Sequence, residues 1–159
     1  MTFTNKRFIV TGAGSGMGKA TALALAERGA AVTAIGRTAN ISDIMAEVQP
    51  DAHDRLIPVV ADVSDPAAIC PAISDAVAKM GGLDGLIHAA GIAPGAPVET
   101  MILEKFERVF AVNMRGTFLT NQAVFPHLKE RGGRIINFAS PVGVTGMAGK
   151  AHYAASKGA

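Results

Sequence analysis

Continuous, predominantly apolar runs punctuate the chain at residues 8–11, 31–35, 56–61, 83–89 and 134–139. Each is short, and none alternates strictly between apolar and polar positions, which is the pattern of strands buried on both faces rather than one. Between them lie longer stretches with helical spacing, at residues 17–27, 41–48, 66–80, 103–112 and 117–131. The first of these ends at Gly29, and Gly132-Gly133 stands before the last strand, where glycine stops a helix or opens a turn. Strands alternating with helices predict an open, doubly wound parallel sheet, Rossmann-like, in three α/β/α layers. No internal repeat or linker divides it, so residues 1–159 read as one domain.

Composition narrows the picture. Hydrophobic residues make up 49% and charged residues 18%, which excludes a disordered chain. A net charge of +2 with scattered Lys and Arg gives no basic stripe, so no nucleic-acid partner is expected. The run Phe8-Ile9-Val10 is too brief for the apolar core of a signal peptide, and Gly or Pro interrupts the longer uncharged stretches, so no membrane span is expected. Cys70 is the single cysteine; it can form no internal disulfide, which suits a reducing cytoplasm. His53, His88, His127 and His152 lack ligand spacing, so no metal is expected.

The first chemical signal is Thr11-Gly12-Ala13-Gly14-Ser15-Gly16-Met17-Gly18, placed where the first strand hands over to the first helix. Glycine permits a tight turn and close backbone approach to a pyrophosphate, and a helix N-terminus offers free N–H groups and partial positive charge. Such a turn suits a dinucleotide. The spacing Thr-Gly-x-x-x-Gly-x-Gly, met by Thr11, Gly12, Gly16 and Gly18, resembles the short-chain dehydrogenase/reductase family.

Further along, Tyr153-Ala154-Ala155-Ser156-Lys157 resembles that family's Tyr-x-x-x-Lys segment, with Ser140 lying 13 positions before the tyrosine. Tyr and Lys at i and i+4 share one helix face, so the Lys157 ammonium can favour ionisation of a phenol whose ordinary pKa is about 10. The resemblance implies that Tyr153 is the general acid/base, that Ser140 bonds the substrate oxygen, and that Asn113 holds a water linking Lys157 to solvent. It also implies a cofactor site built from Gly12, Ser15, Gly16, Met17, Gly18, Arg37, Asp62, Val63, Ala90, Gly91, Tyr153 and Lys157, with Asp62 facing the adenine amine. The segment His88-Ala89-Ala90-Gly91 departs from the family's Asn-Asn-Ala-Gly; both asparagines are missing, and His88 reads as structural.

Dinucleotide folds that prefer NAD usually carry an acidic residue at the end of the second strand. Gly36 stands there, followed by Arg37, whose guanidinium suits a 2′-phosphate. NADP(H) is therefore the expected cofactor, with NAD(H) left open.

The resemblance implies an NADP(H)-dependent oxidoreductase moving a hydride between the nicotinamide and a small carbonyl compound or secondary alcohol. Lys157 is followed only by Gly158-Ala159, whereas the family continues into further strands and a substrate lid. A C-terminally incomplete domain is the expectation, with a marginal last helix and an exposed fifth strand. The other reading is a non-catalytic nucleotide-binding or assembly fragment. The helix at 117–131 resembles the family's subunit interface, which implies a homodimer or homotetramer.

Overall fold

The computed structural model describes residues 2–130 and 132–159. Five strands, β1 (Arg7–Thr11), β2 (Ala31–Gly36), β3 (Leu56–Val60), β4 (Gly85–His88) and β5 (Arg134–Asn137), form one parallel sheet in the order β3-β2-β1-β4-β5. The order reverses between β1 and β4. In an open parallel sheet this switch point leaves a crevice at the carboxyl ends of the strands, where ligands bind.

Neighbouring residues in one strand serve opposite layers, which explains why the runs do not alternate with polar residues. Val10, Val32 and Ala34 pack with Ala22, Leu25 and Ala26 of helix α1 (Gly16–Glu27). Ile9, Ile35 and Leu86 pack the other way, against Ile69, Ile73 and Val77 of α2 (Pro66–Met80) and Val124 and Leu128 of α4 (Gly116–Leu128). The helix ends follow local chemistry. Asp65 caps α2 by accepting from the Ala67 N–H at 2.9 Å, with Pro66 in the first turn, and Gly81 closes it at φ +71°. Gly29, at φ +93°, ends α1 where the sequence places the stop.

The remaining helices depart from the expected pattern. Helix α3 (Leu103–Phe110) runs without a break through a π turn, Ala111–Arg115, into α4. The expected gap after residue 112 is therefore a π bulge, a wide turn that redirects side chains without ending the helix. The helix expected at 41–48 is a 3₁₀ segment, Ala39–Ala46, followed by a second, Pro50–Arg55. Two short helices close the chain, α5 (Val142–Thr145) and α6 (Ala151–Gly158). They meet so closely that a Cβ on Gly143 would lie 2.6 Å from the Lys157 carbonyl carbon. Strand β5 is one edge of the sheet and β3 the other; on β5, Ile136 is 53% exposed. No helix among the described residues is long and apolar enough to cross a membrane.

Candidate active site

The turn between β1 and α1 is shaped by two glycines for different reasons. Gly12 has φ +68°, and a Cβ there would stand 2.7 Å from the Ala90 nitrogen, so the turn lies directly on the backbone after β4. A Cβ on Gly18 would strike the Gly12 carbonyl oxygen, so this glycine lets α1 sit on its own entry turn. Ser15 precedes α1 without capping it through its side chain, and the first turn carries no acidic residue. The N–H groups and partial positive charge of the helix start thus stay available to an anion. Gly18→Ala is expected to destabilise the fold by about 1–3 kcal/mol, because the clash is with backbone that cannot swing aside. A urea midpoint equal to that of the parent would contradict this.

Beside the turn is a cavity of about 120 Å³. Six of the residues expected at a cofactor line it: Gly12, Arg37, Asp62, Val63, Ala90 and Gly91. Gly36 also lines it, and a Cβ there would be 2.9 Å from that of the buried Ile41, so an acidic side chain at this place would have to displace the 3₁₀ segment. Ser15, Gly16 and Met17 are exposed at the helix start, with Met17 side chain in solvent. Backbone glycine at the turn, small residues at 90 and 91 and an unencumbered helix start fit a nicotinamide dinucleotide.

Asp62 is the anionic feature of this cavity. Its Oδ1 accepts from the Ser64 N–H at 2.9 Å and the Ser64 hydroxyl at 2.6 Å, and its Oδ2 accepts from Arg108 Nη2 at 2.8 Å. Burial alone would raise the carboxyl, but the hydrogen bonds from Ser64 and the Arg108 guanidinium outweigh it and bring it down to about 2. It is an ionised acceptor throughout the neutral range.

At the other end of the crevice the π turn presents Asn113, buried among backbone groups. Its Oδ1 accepts from the Ile92 N–H at 2.9 Å, and its Nδ2 donates to the Ile92 carbonyl at 3.0 Å and the Ser156 hydroxyl at 2.9 Å. Ser156 in turn donates to the Tyr153 carbonyl at 2.8 Å, so the amide of Asn113 anchors α6 to α3–α4. Lys157 Nζ donates to the Phe138 carbonyl at 2.6 Å, past the end of β5. Tyr153 is half-buried one turn earlier. Ser140 accepts from the Val142 N–H at 3.3 Å and opens α5, the helix packed on α6. Gly91 joins the two ends: it lines the cavity, and a Cβ on it would lie 3.4 Å from Asn113 Oδ1 and 3.9 Å from Lys157 Nζ.

The sequence and the fold both match known proteins. The model of the short chain dehydrogenase family matches residues 6–159. The chain belongs to that family. Among its relatives are the cis-4-hydroxycyclohexanecarboxylate dehydrogenase of Sinomonas cyclohexanicum, 38% identical over 157 residues, and the 3-oxoacyl-[acyl-carrier-protein] reductase of Thermotoga maritima, 36% identical over 158 residues. The chain is covered to 98% and 99% in these matches and spans 63% and 64% of the relatives' own lengths. The crystal structure of levodione reductase superposes with a TM-score of 0.90 at 32% identity, covering 98% of this chain and 62% of that one. NAD+-bound xylitol dehydrogenase gives 0.87, also at 32% identity, with 99% and 62% covered.

Within this short-chain dehydrogenase frame, His88 takes a place that sequence reasoning left as merely structural. It ends β4 in register with Thr11 of β1 and Asn137 of β5. Its Nδ1 lies 3.0 Å from the Thr11 hydroxyl and 2.9 Å from that of Thr120. Because Thr120 donates to the Gly116 carbonyl at 2.9 Å, its lone pairs face the ring, and we assign the imidazole proton to Nδ1. Nε2 is buried without a hydrogen-bond partner. Burial, with the nearby Lys157 ammonium adding to it, lowers the imidazole to about 4. The Thr11 hydroxyl also accepts from the Ala90 N–H at 3.3 Å, so the imidazole helps fix the segment on which Gly12 rests. Thr120, Arg108 and Ser156 are the other contributors that sequence reasoning missed.

Proposed function

We propose that this chain is the nucleotide-binding and catalytic part of an NADP(H)-dependent oxidoreductase acting on a small carbonyl compound or secondary alcohol. The observation that carries this reading is the position of Gly91, which borders both the nucleotide cavity and the Asn113–Lys157 cluster. The bound nicotinamide would supply or accept the hydride. The chain's own groups have the remaining tasks. Tyr153 exchanges the proton with the substrate oxygen, Ser140 donates a hydrogen bond to that oxygen, and Lys157 offers positive charge beside the phenol. Asn113 locks the π turn to α6, the helix that carries Tyr153 and Lys157.

NADP(H) is favoured over NAD(H) by Arg37, which lines the cavity and makes no ion pair among the described residues, with Gly36 crowded by Ile41. Its guanidinium is free for a 2′-phosphate. The test is a fluorescence titration with NADPH and NADH. Arg37→Ala should weaken NADPH binding about tenfold or more and leave NADH nearly unchanged, as expected for a lost charge-assisted pair. Equal losses for both cofactors would remove Arg37 from the discrimination. The same proposal includes self-association through the outer face of α4, where Phe118 and Phe125 are 60% and 58% exposed, and a cytoplasmic location consistent with the lone thiol Cys70.

A further inference from the structure

Arg108 projects from α3 across to the loop after β3, 46 residues earlier in the chain. Its Nη1 donates to the Ser64 hydroxyl at 2.7 Å, that hydroxyl donates to Asp62 Oδ1 at 2.6 Å, and Arg108 Nη2 donates to Asp62 Oδ2 at 2.8 Å. The three side chains close a ring in which every donor meets an acceptor. With the Ser64 N–H also on Oδ1, two bonds hold one carboxylate oxygen and one holds the other. An ionised carboxylate has about four acceptor positions, so the position left on Oδ2 has a fixed direction. Asp62 and Arg108 both line the cavity that also holds Arg37 and Gly12.

We infer that Arg108 is a positioning residue for base selection: by clamping Asp62, it makes the cavity prefer a purine with an amino group at C6 over one with a carbonyl. This rests on the dinucleotide reading above. A carboxylate only accepts, so a fixed one rewards an amine and repels a carbonyl oxygen. A carboxylate free to turn would let water intervene, and water donates to a carbonyl as readily as it accepts from an amine. Discrimination therefore depends on the clamp as well as on the charge.

The probes are NADPH and its nicotinamide hypoxanthine counterpart, which differ only along one edge of the purine: an amine at C6 with a bare N1 in the first, a carbonyl at C6 with an N1–H in the second. Their affinities are measured by nicotinamide fluorescence for the parent, Asp62→Asn, Arg108→Met and Arg108→Lys. The parent should favour the adenine cofactor by about tenfold or more, the size of a charge-assisted hydrogen bond, and Asp62→Asn should bring the ratio near one. Arg108→Met should reduce it to about threefold, with Arg108→Lys between, since an ammonium cannot span both Ser64 and Asp62. If Arg108→Met weakens both cofactors in parallel, or leaves the parent ratio, Arg108 is only a structural contact and the inference falls. An unchanged ratio in Asp62→Asn would show that the carboxylate does not read the base, which overturns it equally. A parent chain that binds neither probe would overturn the dinucleotide reading itself, and the inference with it.

Discussion

Replacing Tyr153 by Phe is expected to lower ketone turnover with NADPH by about 10²–10⁴-fold, the usual contribution of a positioned proton donor, while NADPH affinity stays within about twofold. The substitution removes one oxygen and keeps the ring, so the packing of half-buried Tyr153 on α6 is retained. What holds α6 in place is elsewhere: the Ser156–Asn113 hydrogen bond at 2.9 Å, the Lys157–Phe138 hydrogen bond at 2.6 Å and the close approach of α5 at Gly143. Loss of turnover with cofactor binding intact therefore isolates the phenol. Lys157→Met should differ, since its ammonium lies beside Gly91 at the cavity, and should weaken cofactor binding as well as turnover. Undiminished turnover in Tyr153→Phe would place the acid elsewhere. A parent that binds NADPH yet reduces no member of a carbonyl panel would favour the non-catalytic nucleotide module.

The sheet was legible because its strands carry their burial in sequence: Phe8-Ile9-Val10 and Ala31-Val32 are continuous apolar runs that supply both core layers. Strands β4 and β5 are shorter than their apolar runs: β4 begins at Gly85 rather than at Leu83, and after Asn137 the chain leaves the sheet, so that Phe138 and Ala139 line a cavity beside Asn113 and Lys157. The π turn had no comparable signal. Residues 113–116 read as a gap between two helices, yet the backbone hydrogen bonds continue through them, and nothing in hydrophobic periodicity distinguishes a wide turn from a gap. The 3₁₀ segments were blurred for a related reason. Ala39–Ala46 is held by burial of Ile41 and Ile44 rather than by its own helical propensity.

The candidate site was legible only where a motif fixes several residues at once. The glycine turn and the Tyr153/Lys157 pair have local spacing that geometry constrains, so the structure brings Gly12, Gly91 and Lys157 to one crevice. Arg108 has no such signature. On an amphipathic helix it reads as one more solvated arginine, and its partner Asp62 is distant in sequence. His88 was legible as structural, but what it holds was not, because that comes from Thr11 and Thr120 on two other elements.

His88 also yields the largest stability effect. Its imidazole is lowered from the ordinary 6.5 to about 4, first by burial and then by the charge on Lys157. Above pH 6.5 it is neutral whether the chain is folded or not. Between 6.5 and about 4 the unfolded chain takes up a proton that the folded chain refuses, so the contribution of His88 to stability falls as pH falls through this window and levels off below it, where protonation of Asp62, held near 2, continues the loss. For a side chain only 3% exposed, a shift of this size corresponds to a loss on the order of 3 kcal/mol. His88→Asn should keep a hydrogen bond to a threonine while removing the titration, so its urea midpoint should change far less between pH 7 and 4. A smaller slope of the same sign should persist, because burial also lowers His152, whose ring nitrogens lack partners. Parallel pH profiles for parent and variant would clear His88 of the effect. A second readout separates the local from the global consequence. The folded imidazole takes up its proton only near pH 4, so across most of the window in which stability falls NADPH affinity should keep its pH 7 value, in the parent and in His88→Asn alike.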